Sequence, residues 1–391
     1  MLRERVTAAG RATAILKELV AIESVNPFYP GGERGEVAMT AYVAGFFERL
    51  GLRPERQEAL PGRENVFVRV EAPGATRTLL LESHMDTVTL EPVGRSMVEP
   101  TEREGRLWGR GSCDTKASLA AMLTALETIV ARRAELKVDL VVLGSVDEEY
   151  LMRGIVHFAA NGPPLDAAVV GEPTGLNVVR AHKGLVRWAI ETQGKAAHTS
   201  RPENGDNAIY QMVEVIGALR GALEPTLAGR AHPLLGRPTF TVATIHGGMG
   251  VNIVPERCAI TVDRRTLPSE RSADVIEEVE AALRDLRARQ PGVKVEIGDP
   301  FANIGGLDTS AELPFVRLAT RIASEHGGAA EPVGVPYGTN AAALAERGVP
   351  TVVLGPGDIA QAHTADEWVE LIQVERCAEL YGRLALAYTG E

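Results

Sequence analysis

Cysteine is scarce, with only three residues in 391. Cys113, Cys258 and Cys377 cannot all pair within the chain, and their spacing matches no thiolate metal site, which weighs against a disulfide-built module. A reducing cytoplasm is the simplest reading of that usage. Long hydrophobic runs are missing too. No apolar stretch approaches the ~20 residues of a bilayer crossing, and Met1-Leu2-Arg3-Glu4-Arg5 has mixed charge unlike a secretory leader. No membrane partner is expected. Positive charge is outnumbered: 41 Lys and Arg against 52 Asp and Glu leave a formal net charge of -11 and an isoelectric point near 5.4. That balance argues against nucleic acid as a partner. Internal repeats and low-complexity segments are also missing. What remains is the composition of an ordinary globular protein, 45% hydrophobic and 24% charged, in a chain long enough for two domains.

The first part alternates helical and extended patterns. Val37 to Leu50 places Val37, Tyr42, Val43, Phe46, Phe47 and Leu50 at helical spacing, with Gly51 as a C-cap. Short apolar runs follow at Val66 to Val70, Leu79 to Leu81, Leu140 to Leu143 and Ala167 to Val170, and the helix-forming segment Lys116 to Arg132 lies among them. This pattern predicts an α/β domain with a mixed, largely parallel sheet. The middle has a different order: strand 185–192, helix 207–223, strands 239–245 and 258–263, helix 273–289, strand 293–297. That β-α-β-β-α-β succession is the ferredoxin-like one. The first pattern then resumes, with a buried strand at 350–355 and a closing helix at 369–387. The expected organisation is a catalytic domain of residues 1–180 and 298–391, with an inserted α+β domain of residues 181–297.

Polar groups gather at the ends of the predicted strands. His84 and Asp86 follow Leu79-Leu80-Leu81 and, two residues apart, share a face, so the Asp86 carboxylate is placed to take the second imidazole N–H. Glu148 and Glu149 follow the run 141–146, Glu172 follows Val169-Val170-Gly171, and His363 lies in the loop after Val352-Val353-Leu354. Asp114 sits in a glycine-containing turn that feeds a helix. Alone, Asp147-Glu148-Glu149 reads as a solvated acidic turn and His84 as a structural histidine. Together, at the carboxyl ends of several strands, these groups read as a hydrolytic site with two metal ions.

The segments LLLESHMDTV, GRGSCDTKAS, VDEEY, VVGEPTG and AHTADEWV resemble a family of di-metal hydrolases. Its members include acetylornithine deacetylase, succinyl-diaminopimelate desuccinylase, aminoacylase and carboxypeptidase G. The resemblance runs in order from about residue 10 to the C-terminus. It implies a catalytic domain of the zinc-exopeptidase type with a ferredoxin-like lid and dimerisation domain. His84 and Glu172 would hold one ion and Glu149 and His363 the other, with Asp114 bridging them and Asp86 orienting His84. The ions would be zinc, with cobalt or manganese as substitutes. Glu148 would be the general base acting on a water held between them, and Cys113 a small buried packing residue.

On the substrate side, Lys195-Ala196-Ala197-His198 resembles the segment whose histidine reaches the partner subunit's active site and stabilises the oxyanion, which implies a homodimer. Asn252, in Gly247 to Pro255, would contact substrate or the oxyanion. Arg265, in Asp263-Arg264-Arg265, would grip a substrate carboxylate through its planar fork, with Arg264 facing the other way. Tyr337, Gly338 and Thr339 fall where relatives carry substrate-binding residues. Asn340 departs from the acid found there, removing a charge from a loop expected to face substrate. Thr115 departs from the family pattern as well, at a peptide bond that is often cis in relatives. The expected activity is hydrolysis of the amide bond of an N-acyl-L-amino acid. A dipeptidase or carboxypeptidase of the same family is the alternative, and a non-catalytic relative is disfavoured because the ligand and base positions are all filled.

Overall fold

Two of the apolar runs fall inside strands slightly longer than themselves. In the computed structural model, which describes residues 10–390, Leu79 to Leu81 lies in the strand Thr78–His84 and Leu140 to Leu143 in Asp139–Ser145. Ala167–Val170 and Thr351–Val353 are strands as well. The reading of Met1 to Arg5 lies outside the described residues.

These four strands are mutually parallel, in the order Asp139–Ser145, Thr78–His84, Ala167–Val170, Thr351–Val353. Every residue of the first three is buried, as expected for parallel strands covered on both faces. Arg63–Val70 adds antiparallel to Asp139–Ser145, and Glu55–Leu60 adds antiparallel to it in turn. The sheet is therefore mixed with a parallel centre, the expected fold class.

The chain divides into two compact units, one of Met1–Arg180, Asp308–Gly334 and Thr339–Glu391, the other of Ala181–Leu307 and Val335–Gly338. The return crossing falls at Asp308 and not at 298, because Ala302–Ile304 still pairs with Gly184–Gln193 in the second unit's sheet.

In the first unit the helix Lys116–Ala131 is rich in alanine and leucine and lacks glycine and proline, which favours helix. It is apolar nearly all round, consistent with its burial against Thr78–His84 and the helices Arg11–Val20 and Leu371–Ala387. Helix Val37–Arg49 ends as expected at Gly51, whose φ is +75°. The closing helix starts at Leu371, two residues later than its pattern suggested. Trp368–Glu370 is instead a strand paired with Arg106–Trp108.

In the second unit the strands run Thr239–Gly247, Arg257–Thr266, Gly184–Gln193, Val295–Ile297, all antiparallel. The helices Ala208–Ala228 and Ser272–Arg289 complete the β-α-β-β-α-β succession. Asn207 caps the first of them, its side chain accepting from the Ile209 and Tyr210 amides. Trp188, Ile190, Met212, Val215 and Leu283 belong to the core of this unit.

Candidate metal centre

All four parallel strands end on the same side of the sheet. In register, His84 lies opposite Ser145, while Glu82 and Val353 both lie opposite Val170. The chain leaves these ends through His84, Asp147 to Glu149, Glu172 and the loop leading to His363. Four strands thus deliver candidate ligands to the carboxyl edge, where open α/β sheets place their sites. Asp114 comes from the turn before helix Lys116–Ala131. Within that turn Gly111 has φ +79°, and Lys116 and Thr87 side chains stand 2.9 Å from where its Cβ would be, so both conformation and space call for glycine. The Asp114–Thr115 peptide is cis.

The side chains form two trios that share one member. His84 Nε2 lies 3.1 Å from Asp114 Oδ1 and 3.8 Å from Glu172 Oε1. His363 Nε2 lies 3.3 Å from Asp114 Oδ2 and 3.0 Å from Glu149 Oε2. Within each trio the donor atoms lie within 4.8 Å of one another. The two oxygens of Asp114 therefore face different imidazoles. Glu172 Oε1 is buried with no hydrogen-bond partner among the described residues, a costly state for a carboxylate oxygen without a cation beside it. Two imidazoles and three carboxylates, one of them shared, fit a pair of divalent cations.

The electrostatics fit the same reading. Burial raises the Glu148 and Glu172 carboxyls well above the usual range, with neighbouring carboxylates adding to it and His84 opposing. Burial and Asp114 push Glu149 up to about 7, against the pull of His363. The hydrogen bonds His363 donates to Asp114 and then to Glu149 push it up to about 11. Burial disfavours the charged form of His84, but Asp114 and Asp86 outweigh it and hold the imidazole well above its ordinary value. The acids thus draw protons onto the imidazoles, and they would draw metal cations by the same attraction.

The residue expected to orient His84 does so differently. His84 Nδ1 lies 3.0 Å from the Asp86 main-chain oxygen and 3.6 Å from its carboxylate. The carboxylate turns instead to the acidic turn: Oδ1 accepts from the Glu148 amide at 3.1 Å, and Oδ2 from the Glu149 amide at 3.1 Å and Asn26 Nδ2 at 2.7 Å. Asp147, fully buried with φ +70°, faces away into a cluster of Arg63, Arg153 and Asn26. Arg63 also binds the buried Glu36. Glu367 accepts from Arg110 and from the amides of Gly111, Cys113 and Asp114. Sequence reasoning passed over Asn26, Glu36, Arg63, Arg110 and Glu367. Two of them, Arg110 and Glu367, stand inside the quoted motifs, and that position was the available signal. Cys113 is buried, with its thiol pushed well above the usual range by burial and by Glu367, which suits a packing residue.

Asn340 does not lie on an exposed loop. It is 1% exposed, and its amide donates to Glu82 Oε1 at 2.8 Å and Ser145 Oγ at 3.1 Å, both on central strands. The missing charge is therefore missing from beside a buried acid. Thr339 is also buried and belongs to the first unit, whereas Tyr337 and Gly338 belong to the second.

His198, Asn252 and Arg265 lie in the second unit. His198 pairs with Ile253 as an isolated bridge, and the Thr199 amide donates to the Asn252 carbonyl, so these two segments lie side by side. Arg265 is half-buried with Nε 2.8 Å from Asp263 Oδ1. Arg264 is buried on the opposite face and bonds Glu270 at 2.5 Å.

A mixed sheet that gathers two imidazoles and three carboxylates at its carboxyl edge defines a metal-dependent hydrolase. Residues 80–387 match the sequence pattern of peptidase family M20/M25/M40, and the chain belongs to that family. It is 32% identical over 381 residues to an acetylornithine deacetylase of Vibrio campbellii, covering 96% of this chain and 97% of that one. Among solved structures it resembles a tripeptidase from Staphylococcus aureus with a TM-score of 0.78 at 21% identity, over 97% of this chain and 99% of that one. It also resembles a dinuclear metal-binding peptidase of the M20 family from Bacillus subtilis, with a TM-score of 0.72 at 15% identity over 97% of both chains. At such identities these two likenesses concern the fold.

Proposed function

We propose that the protein hydrolyses the amide bond of an N-acyl-L-amino acid, with an acetylated amino acid such as N-acetylornithine as the leading substrate. The observation that carries this reading is the division of Asp114, one oxygen toward the His84–Glu172 pair and the other toward the Glu149–His363 pair. The name of the 32%-identical relative supports the choice of acyl group and amine.

His84, Glu172 and Asp114 would hold one cation; Glu149, His363 and Asp114 would hold the other. Imidazole with carboxylate suits zinc, with cobalt or manganese as substitutes. When bound, the cations polarise the scissile carbonyl and make a water acidic enough to attack at neutral pH. Glu148 takes the proton of that attacking water and delivers it to the departing amine. Its backbone is held by Asp86, so the base and its ligand neighbour Glu149 are fixed by the same carboxylate.

The second unit supplies substrate contacts as a lid and dimerisation domain. His198 Nδ1 is engaged by the Ser200 amide at 3.1 Å and the Ser200 hydroxyl at 2.8 Å, which leaves Nε2 for the developing oxyanion. Arg265 takes the substrate carboxylate, and Asn252, Tyr337, Gly338 and Thr339 line the remainder. The homodimer forms along the edge strand Thr239–Gly247, whose Ile245 is 52% exposed and which leads to the exposed Met249 and Val251. Unpaired strand edges bearing apolar side chains are places where chains associate. The cysteine usage supports a cytoplasmic location.

The test is release of acetate from N-acetylornithine and a panel of N-acylated amino acids, compared with cleavage of simple dipeptides. Preference for the acylated panel is expected. Cleavage confined to dipeptides would turn the assignment to the dipeptidase reading. In parallel, Glu148→Ala should keep its metal and lose turnover by about 10²- to 10⁴-fold.

A further inference from the structure

Asp114 reaches both trios only if its backbone is held in one place, and the turn's own backbone hydrogen bonds, Ser112 N to Gly109 O and Lys116 N to Gly111 O, do not engage the Asp114 amide. Helix Lys116–Ala131 begins after it without a side-chain cap. The segment is fixed from outside, by a residue far along the chain. Glu367, 1% exposed, receives the Cys113 and Asp114 amides on Oε1, both at 2.9 Å. Its Oε2 receives the Gly111 amide at 2.9 Å and Arg110 Nη1 at 2.8 Å. Its main-chain oxygen takes the Gly109 amide at 3.0 Å. Five donors between residues 109 and 114 thus converge on one glutamate, and both carboxylate oxygens are used.

This glutamate stands four residues after His363. The reach across the chain is made by the small sheet in which Trp368 pairs with Trp108, which sets Glu367 beside Gly109. Arg110, 3% exposed, extends the tie, since its Nε donates to the Thr89 carbonyl at 2.9 Å, in the loop that follows His84. His363, by contrast, has φ +57° and a side chain 53% exposed. Its loop therefore borrows its placement from this anchor. Loops bearing His84, Asp114 and His363 are joined through a single buried ion pair.

We infer that Glu367 is the positioning residue of the metal centre: by gripping the amides of Asp114 and Cys113 it holds the shared carboxylate astride both trios and sets the affinity of the two sites together. The inference rests on the two-cation reading above. Outer-shell partners of metal ligands typically carry 10- to 100-fold in affinity, and this partner acts on the one ligand common to both sites.

The test is zinc titration, by calorimetry with a competing chelator, of the full-length chain stripped of metal. Variants Glu367→Gln and Glu367→Asp are compared with single-trio controls Glu172→Gln and Glu149→Gln. Glutamine turns an NH2 toward Gly111 and Arg110 and breaks that half of the grip. Aspartate keeps the charge but falls short by one methylene, so it serves if the glutamine variant does not fold. Wild type is expected to bind two zinc ions. Each Glu367 variant should weaken both sites about tenfold or more and by similar factors, measured at a temperature where its metal-free form is folded. The controls should weaken mainly one site each. Unchanged affinities in folded Glu367 variants, or a loss confined to the His363 site, would overturn the inference. Absence of zinc binding in the wild type would instead overturn the two-cation reading beneath it.

Discussion

Replacing Asp86 with asparagine removes one charge without changing shape, and the structure says where the damage falls. Oδ2 serves two donors, Glu149 N at 3.1 Å and Asn26 Nδ2 at 2.7 Å, whereas Oδ1 takes Glu148 N at 3.1 Å and faces His84 Nδ1 only at 3.6 Å. The amide oxygen of an asparagine will take the place with two donors, because the flipped orientation sets its NH2 against both. Asn26 cannot flip in compensation, since its own oxygen already accepts the Phe28 amide at 3.0 Å. The NH2 of residue 86 then opposes the Glu148 amide, leaving that buried N–H without an acceptor at a cost of about 1–3 kcal/mol. Relief comes by displacing the Glu148 peptide, which moves the base and spares the ligands. If that cost is felt in the transition state, kcat falls about 5- to 150-fold. Steady-state kinetics on the best acylated substrate, with elemental analysis of the same sample, measure this. Asp86→Asn should retain its metal and lose kcat, with KM little changed. Full metal content with wild-type kcat would refute the reasoning, and loss of metal ahead of kcat would place the role of Asp86 on the ligands instead.

Three further outcomes follow from buried groups outside the trios. Arg63→Met strands the buried Glu36 and one side of Asp147. Thermal or urea unfolding should show a loss of about 3–5 kcal/mol, the usual result of breaking a buried pair by removing one partner; a loss below 1 kcal/mol would contradict it. His182 is fully buried, and burial lowers it to about 4 from an ordinary 6.5. A base with a depressed folded-state value contributes stability above its unfolded value, and that stability is lost as pH falls from about 6.5 toward 4. Between pH 7.5 and pH 5 the wild type should therefore lose about 2 kcal/mol more than His182→Gln, and parallel pH profiles of the two would disprove it. Asn340→Ala removes a donor from the buried Glu82. It should cost about 1–3 kcal/mol in stability and leave KM within about twofold, whereas a large KM change at unchanged stability would return Asn340 to the substrate.

The candidate ligands were legible because strand-end placement leaves a local trace: an apolar run followed by histidine or acid, repeated along the chain. The parallel sheet was legible for the same reason, since its buried strands are unbroken apolar runs. Arg63, Glu36 and Asn26 left no such trace. A lone charged or amide residue reads as surface, and only the folded chain shows Glu36 and Asn26 buried and Arg63 nearly so. Asn340 was misread because a departure at a motif position resembles a change in specificity. Its actual neighbour, Glu82, belongs to an apolar strand 258 residues away in sequence. The carboxylate of Asp86 was assigned to His84 from strand alternation, which gives the face of a side chain but not which of several donors it meets there. Trp368 to Glu370 fitted the helical pattern of the closing segment, and pairing with Arg106–Trp108 overrode it.

The most direct measurement is the number of zinc ions per chain in the full-length protein after saturation and removal of excess, by elemental analysis, for the wild type and Asp114→Ala. A carboxylate shared by both trios predicts two ions in the wild type and the loss of both in the variant. One ion or none in the wild type, or two retained without Asp114, would contradict it.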